Sequence, residues 1–249
     1  MAGRTRAAAA PPGETDVWIV DLTALGTHLV ALERDRHLLT EAEIAHASRI
    51  TGEAHRNDWI AAHVALHLVL MKHLGRPVHF DGAGAGKPRV SGWNGEFSLS
   101  HSAGLAVIAV RNQGRVGIDV EVRRPVRLSA ERRHLIEIAG AAAHPEALLL
   151  ADDAEVRFLT AWTRLEAIGK MRGTGIGALL ETLGIVARGP GADAVAERTR
   201  QLVTEEAQPI GILGIDVGRF DAVAALATSP PTAAPELHDL ATEIARLGG

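Results

Sequence analysis

"FSLSHSAGLAVIAVRNQGRVGIDVEV", residues 97–122, decides how the chain is folded. It breaks at turn residues into three strand-like stretches, FSLSHS, GLAVIAV and VGIDVEV, and short strands separated by turns imply a sheet of local pairings. Upstream, "VWIV" at 17–20 is a β-branched run read as a first strand. The segment 54–74 carries Trp59, Ile60, Val64, Leu68 and Met71 at helical spacing and stops at Gly75, with Pro77 just beyond. Downstream, helical segments near 130–139, 145–150 and 153–169 lead to the strand-like LGIVAR, IGILGIDVG and FDAVAALAT, and then to a short terminal helix on a Pro/Ala linker. Neither half alternates strand and helix regularly. The expected class is therefore α+β, with small mainly antiparallel sheets packed with helices, and not a doubly wound fold.

The expected organisation is a disordered tail (1–14), an N-terminal half (15–113), a C-terminal half carrying the functional site (114–228) and a linker with a short helix (229–249). "VGIDVE" at 116–121 is echoed by "LGIDVG" at 213–218, which hints at duplicated halves. Glu121 in the first copy is Gly218 in the second.

Composition narrows the chemistry. At 249 residues and 47% hydrophobic content the chain can bury a proper core. With 26 Lys+Arg against 30 Asp+Glu, nothing global attracts nucleic acid or anionic membrane, so any basic site is local. The absence of cysteine excludes disulfides, thiolate catalysis and Cys-ligated metal. No signal-peptide core and no membrane-length apolar run is present, so a cytoplasmic location is expected.

On a strand, Asp119 and Glu121 project from the same face with Cα atoms about 6.5–7 Å apart. Like charges so placed destabilise a sheet unless a cation sits between them; the alternatives are a solvated edge or a hard divalent cation. In "AWTRLEAIGK" (161–170), Glu166 and Lys170 are four apart, which is either a surface ion pair or a third carboxylate with a phosphate-directed cation. Neither Asp119 nor Glu166 is expected in the core.

Other motifs are weaker. In "GAGAGKP" the glycines alternate and Pro88 follows Lys87, so neither the dinucleotide fingerprint nor the Walker A loop is met. It remains a hairpin loop, or a lysine set against a nucleotide. His63 and His67 make an HxxxH without the glutamate that a zinc protease needs, so packed helix histidines are expected. His101 ends an apolar strand between Ser100 and Ser102, where polar side chains could converge on an anion. Arg123, Arg124, Arg127, Arg132 and Arg133 form a local basic patch, either solvated or a docking surface for an acidic partner.

Taken in order, "GKP" at 86–88, "FSLSHS", "VGIDVE" and "FLTAWTRLEAIGK" at 158–170, with "RGTGIG" behind it, resemble the surfactin-type (Sfp-type) 4′-phosphopantetheinyl transferases. The resemblance implies Mg²⁺ held by Asp119, Glu121 and Glu166, and coenzyme A as substrate. It also implies Lys170 and His101 on the pyrophosphate, Ser100, Arg56 and Arg49 near the 3′-phosphate, and Lys87 with Pro88 at the adenosine end. The reaction implied is attack by a serine hydroxyl of an apo acyl or peptidyl carrier protein on the β-phosphate, releasing adenosine 3′,5′-bisphosphate. Glu166 or a water on the metal would act as base, in a monomeric pseudo-dimer of two halves. Arg123, Arg124 and Arg127 would meet the carrier. Leu165 stands where the family usually has lysine, which leads to an expectation of weakened coenzyme A binding or a non-catalytic relative.

Overall fold

A computed structural model of the protein describes residues 15–81, 86–144, 152–185, 191–204 and 209–247. The expected tail (1–14), most of the Gly-rich loop (82–85), the helix at 145–150 and the end of LGIVAR lie outside them.

The chain enters as β1 (Thr15–Asp21) and turns at once into α1 (Leu22–Arg36), because the Asp21 side chain accepts the Ala24 N–H as an N-cap. α2 (Glu41–Ala47) opens on a reciprocal capping box between Thr40 and Glu43, and α3 (Glu53–Leu74) is the long helix read from periodicity, closed by Gly75 in the left-handed region. A two-residue ribbon, β2 (Phe80–Asp81) with β3 (Arg89–Val90), precedes β4 (Glu96–Ser102), β5 (Leu105–Arg111) and β6 (Arg115–Val122). Among the described residues four helices follow: α4 (Ala130–Ala143), α5 (Ala154–Arg172), α6 (Gly175–Leu183) and α7 (Ala192–Thr204). Strands β7 (Gly211–Ile215) and β8 (Ala222–Ser229), a closing strand β9 (Glu236–Asp239) and α8 (Leu240–Leu247) complete the described chain. No described helix is long and apolar enough to cross a membrane.

The fold class is α+β, as expected: a four-stranded sheet β4-β5-β1-β9, a three-stranded sheet β6-β8-β7, and helices on each. All sheet pairings are antiparallel except β1 with β9. Alternation explains the layering. Trp18, Val20, Ile108 and Val110 point from the first sheet to α3, while Val17, Leu105, Val107 and Ala109 point the other way, onto Val116, Ile118 and Val120 of β6. The far face of the second sheet, with Ala225 and Ala227, packs under α4 and α5.

The serines of FSLSHS join the two sheets. Ser98 Oγ accepts the Ile118 N–H at 3.1 Å, Ser102 Oγ accepts the Val122 N–H at 3.2 Å, and Glu96 Oε2 accepts the Val116 N–H at 3.2 Å. Side chains of β4 thus satisfy three amides of β6, those of Val116, Ile118 and Val122, where a backbone ladder would otherwise run, while Ser100 bonds the Asp119 side chain instead.

Several expectations are corrected. LGIVAR is not a strand at its start, since Leu183 ends α6 and Gly184 caps it. The terminal segment contains β9 before its helix, pairing with the first strand of the chain. The internal echo falls within one sheet: its first copy lies on β6 and its second begins on β7, with β8 between them. Helices α1, α2, α6 and α7 were not read from the sequence.

Candidate functional site

The site begins with a glycine. On β6, Gly117, Asp119 and Glu121 share the face turned to α5. A Cβ at position 117 would lie 2.1 Å from the Ala167 carbonyl oxygen and 2.4 Å from the Met171 nitrogen. Only a bare α-carbon lets the helix backbone lie on the strand, and that approach brings Glu166 and Lys170 to the two strand carboxylates.

Asp119 is 2% exposed, contrary to the sequence expectation, and its Oδ1 accepts Lys170 Nζ at 2.8 Å and Ser100 Oγ at 2.7 Å. Its Oδ2 is buried with no hydrogen-bond partner. Glu121 accepts Ser102 Oγ at 3.0 Å and two bonds from Arg124, at 2.9 and 3.0 Å. Ligand oxygens of Asp119, Glu121 and Glu166 all lie within 4.8 Å of one another. Burial, then the Asp119 charge, pushes the Glu166 carboxyl up to about 7 against the pull of Lys170. Three crowded carboxylates, one with an orphaned buried oxygen, fit a hard divalent cation bound through oxygen. They also answer the Glu166–Lys170 question: the lysine pairs across to the strand, not along its own helix.

These groups line one wall of a cavity of about 780 Å³. Ser100, His101, Lys87 and Pro88 share it, and Thr40, Glu43, His63, Leu66 and Phe80 form a further stretch of its wall. Desolvation at this wall and then the Lys170 charge hold the His101 pKa below the ordinary histidine value.

Each remaining candidate has a definite place. The Lys87 ammonium is engaged with Glu96 and the Val116 carbonyl oxygen, the same carboxylate that holds the Val116 N–H. Neither Arg56 nor Arg49 lines the cavity; Arg56 Nη2 donates to the Ile50 carbonyl at 3.0 Å and Arg49 is exposed. Arg123 pairs with Asp153, Arg124 with Glu121 and Arg133 with Glu155, while Arg127 is exposed. His63 and His67 do not act together: His63 stacks on Trp59 with centroids 3.6 Å apart, and His67 bonds Glu43.

Leu165 is a correction. It is wholly buried in the core beneath α5, with Ile136, Phe158 and Ile168, and does not line the cavity. A residue adjacent to Glu166 is turned about 100° around the helix, and here that direction is core. Leucine at this position therefore takes no side chain away from the cavity wall. Sequence reasoning set Ser102 beside His101 but missed its contact to Glu121, and it missed the wall from Thr40 to Phe80. The alternation of serines in FSLSHS was the available signal for the first; nothing local signalled the second.

No family model matches the chain. Over 152 residues it is 32% identical to the 4′-phosphopantetheinyl transferase HetI of Nostoc sp. (strain PCC 7120 / SAG 25.82 / UTEX 2576). The match covers 57% of this chain and 63% of that relative, so it spans less than two thirds of the relative's length.

Proposed function

We propose that the chain is a surfactin-type 4′-phosphopantetheinyl transferase, which moves the phosphopantetheine arm of coenzyme A to a serine of an apo acyl or peptidyl carrier protein. The observation that carries this is the carboxylate trio Asp119, Glu121 and Glu166 beside Lys170 in a cavity of about 780 Å³. The similarity to HetI points the same way.

Asp119, Glu121 and Glu166 would hold Mg²⁺, which when bound neutralises pyrophosphate charge. The residues do the rest by positioning and electrostatics, which is most of what phosphoryl transfer asks of a protein. Lys170, fixed by Asp119 and near the Leu99 carbonyl, presents a cation on the cavity wall. His101 adds a ring nitrogen there, able to donate to a phosphate oxygen. The serine Oγ of the carrier forms a bond to the β-phosphorus as the bond to the adenosine 3′,5′-bisphosphate oxygen breaks. Its proton passes to Glu166 or to water at the site; before a cation binds, burial and the Asp119 charge raise the Glu166 carboxyl to about 7, so it exchanges a proton in the neutral range.

The carrier would dock by the basic segment after β6. Because Arg123 and Arg124 are already paired, and Arg124 holds a site carboxylate, the exposed Arg127 is the informative probe. Incubation with coenzyme A, Mg²⁺ and several apo carriers tests the proposal: covalent phosphopantetheine on the carrier by mass spectrometry supports it, and its absence from every carrier overturns it.

A further inference from the structure

A second group of potential ligands lies on the N-terminal sheet, away from the cavity: Asp16 of β1 with Glu236 and His238 of β9, one ligand atom from each within 4.8 Å of the others. The parallel register sets Asp16 directly opposite Glu236 and Trp18 directly opposite His238. Two carboxylates facing each other across a ladder repel, and a strand of only four residues has little pairing energy with which to bear it.

The distances describe how that repulsion is met. His238 Nε2 lies 3.4 Å from Asp16 Oδ1 and 3.9 Å from Glu236 Oε1. Charge-assisted hydrogen bonds run about 2.7–2.9 Å. Ligand atoms that share a tetrahedral ion at about 2.0–2.1 Å stand about 3.3–3.4 Å apart. The first separation, a hydrogen bond at its long limit, equals the spacing of two ligands around a common ion; the second is about half an ångström wider, and the exposed Glu236 side chain has room to close it. The surroundings also orient the donors. His238 is stacked on Trp18, centroids 4.5 Å apart, which fixes its ring. His73, at the end of α3, donates Nε2–H to Asn112 Oδ1 at 2.9 Å and turns Nδ1 to Asp16 Oδ2 at 3.4 Å, leaving Oδ1 for the shared position. A ligating carboxylate held by a neighbouring histidine is the outer arrangement that metal sites use.

We infer that Asp16, Glu236 and His238 form a second, structural metal site for a zinc-like divalent ion, which ties β9 to β1. One imidazole with two carboxylates suits Zn²⁺ better than Mg²⁺, which prefers oxygen alone. Glu236 is mostly exposed, so the remaining coordination position opens to water. Asp16 and His238 are 222 residues apart, and a bond between such distant points restrains the unfolded chain across most of its length. The site is independent of the activity proposed above.

The test uses the full, untagged chain with excess Mg²⁺ to occupy the carboxylate trio. Titration with ZnCl₂ by calorimetry should give one saturable site per chain, with a rise in Tm of several degrees. His238→Ala and Asp16→Asn should each abolish that binding, His73→Gln should weaken it about 10- to 100-fold, and Glu121→Ala should leave it unchanged. Circular dichroism confirms that each variant is folded. The inference is overturned if wild type binds no zinc, if binding survives both His238→Ala and Asp16→Asn, or if Glu121→Ala removes it. In the first case the His73 imidazolium alone offsets the paired carboxylates.

Discussion

Lys170 Nζ lies 2.8 Å from Asp119 Oδ1 on the neighbouring strand and makes no ion pair with Glu166, its partner one turn away on the same helix. That choice frees Glu166 for the cavity and leaves the second oxygen of Asp119 buried without a partner. Asp119→Asn keeps the shape and the contact to Ser100 but removes charge from both the cation site and the lysine. Transfer should fall at least about 100-fold, the scale of losing one well-placed electrostatic group. Steady-state kinetics against Mg²⁺ concentration would check this; unchanged turnover would remove Asp119 from the site.

Gly117→Ala probes the approach of strand and helix without touching a ligand. Its methyl would overlap the Ala167 carbonyl, so α5 must retreat from β6. A destabilisation of about 1–3 kcal/mol is expected from such overpacking, together with a raised Mg²⁺ requirement. Urea unfolding and Mg²⁺ titration of activity measure the two effects.

Leu165→Lys introduces the residue usual in surfactin-type transferases, the family proposed for this chain, yet it should harm. A side chain that is wholly buried would place an unpaired ammonium in the second core, costing at least about 3 kcal/mol. Coenzyme A affinity should not improve; a tighter complex would show that this position does face the ligand.

His63 gives a pH dependence with a definite sign. Burial lowers its pKa from 6.5 to about 4, while its Nδ1–H donates to the Trp59 carbonyl at 2.9 Å. Between these values the unfolded chain binds the proton that the folded chain refuses. This contribution is therefore fully present above about pH 6.5 and is lost as pH falls towards 4, by about 3 kcal/mol. Denaturant unfolding from pH 4.5 to 7.5 should show a flatter acid limb in His63→Gln than in wild type.

Arg127→Glu should slow reaction with acidic carriers and spare coenzyme A binding, since its side chain is exposed and lies outside the main cavity. Unchanged carrier kinetics would return the basic segment to a solvated surface.

How much was legible in the sequence follows from the range of each interaction. Period-two spacing put Asp119 and Glu121 on one face, and four-residue spacing put Lys170 near Glu166, because both are local rules. The docking of α5 on β6 was not local, although Gly117 carried its signature two residues before Asp119. Strand β9 was hidden because its short ELHD segment gains its register only from β1 at the far end of the chain. The burial of Leu165 was hidden for the opposite reason: a motif read in one dimension does not say which side of the helix is core.

The most direct test of the account is the Mg²⁺ dependence of phosphopantetheine transfer to an apo carrier, followed by intact-mass spectrometry of the carrier for wild type and Glu166→Gln. The account predicts a carrier modified at serine by wild type only with Mg²⁺ present, and no modification by a folded Glu166→Gln. Transfer by wild type without divalent metal, or full transfer by Glu166→Gln, would contradict it.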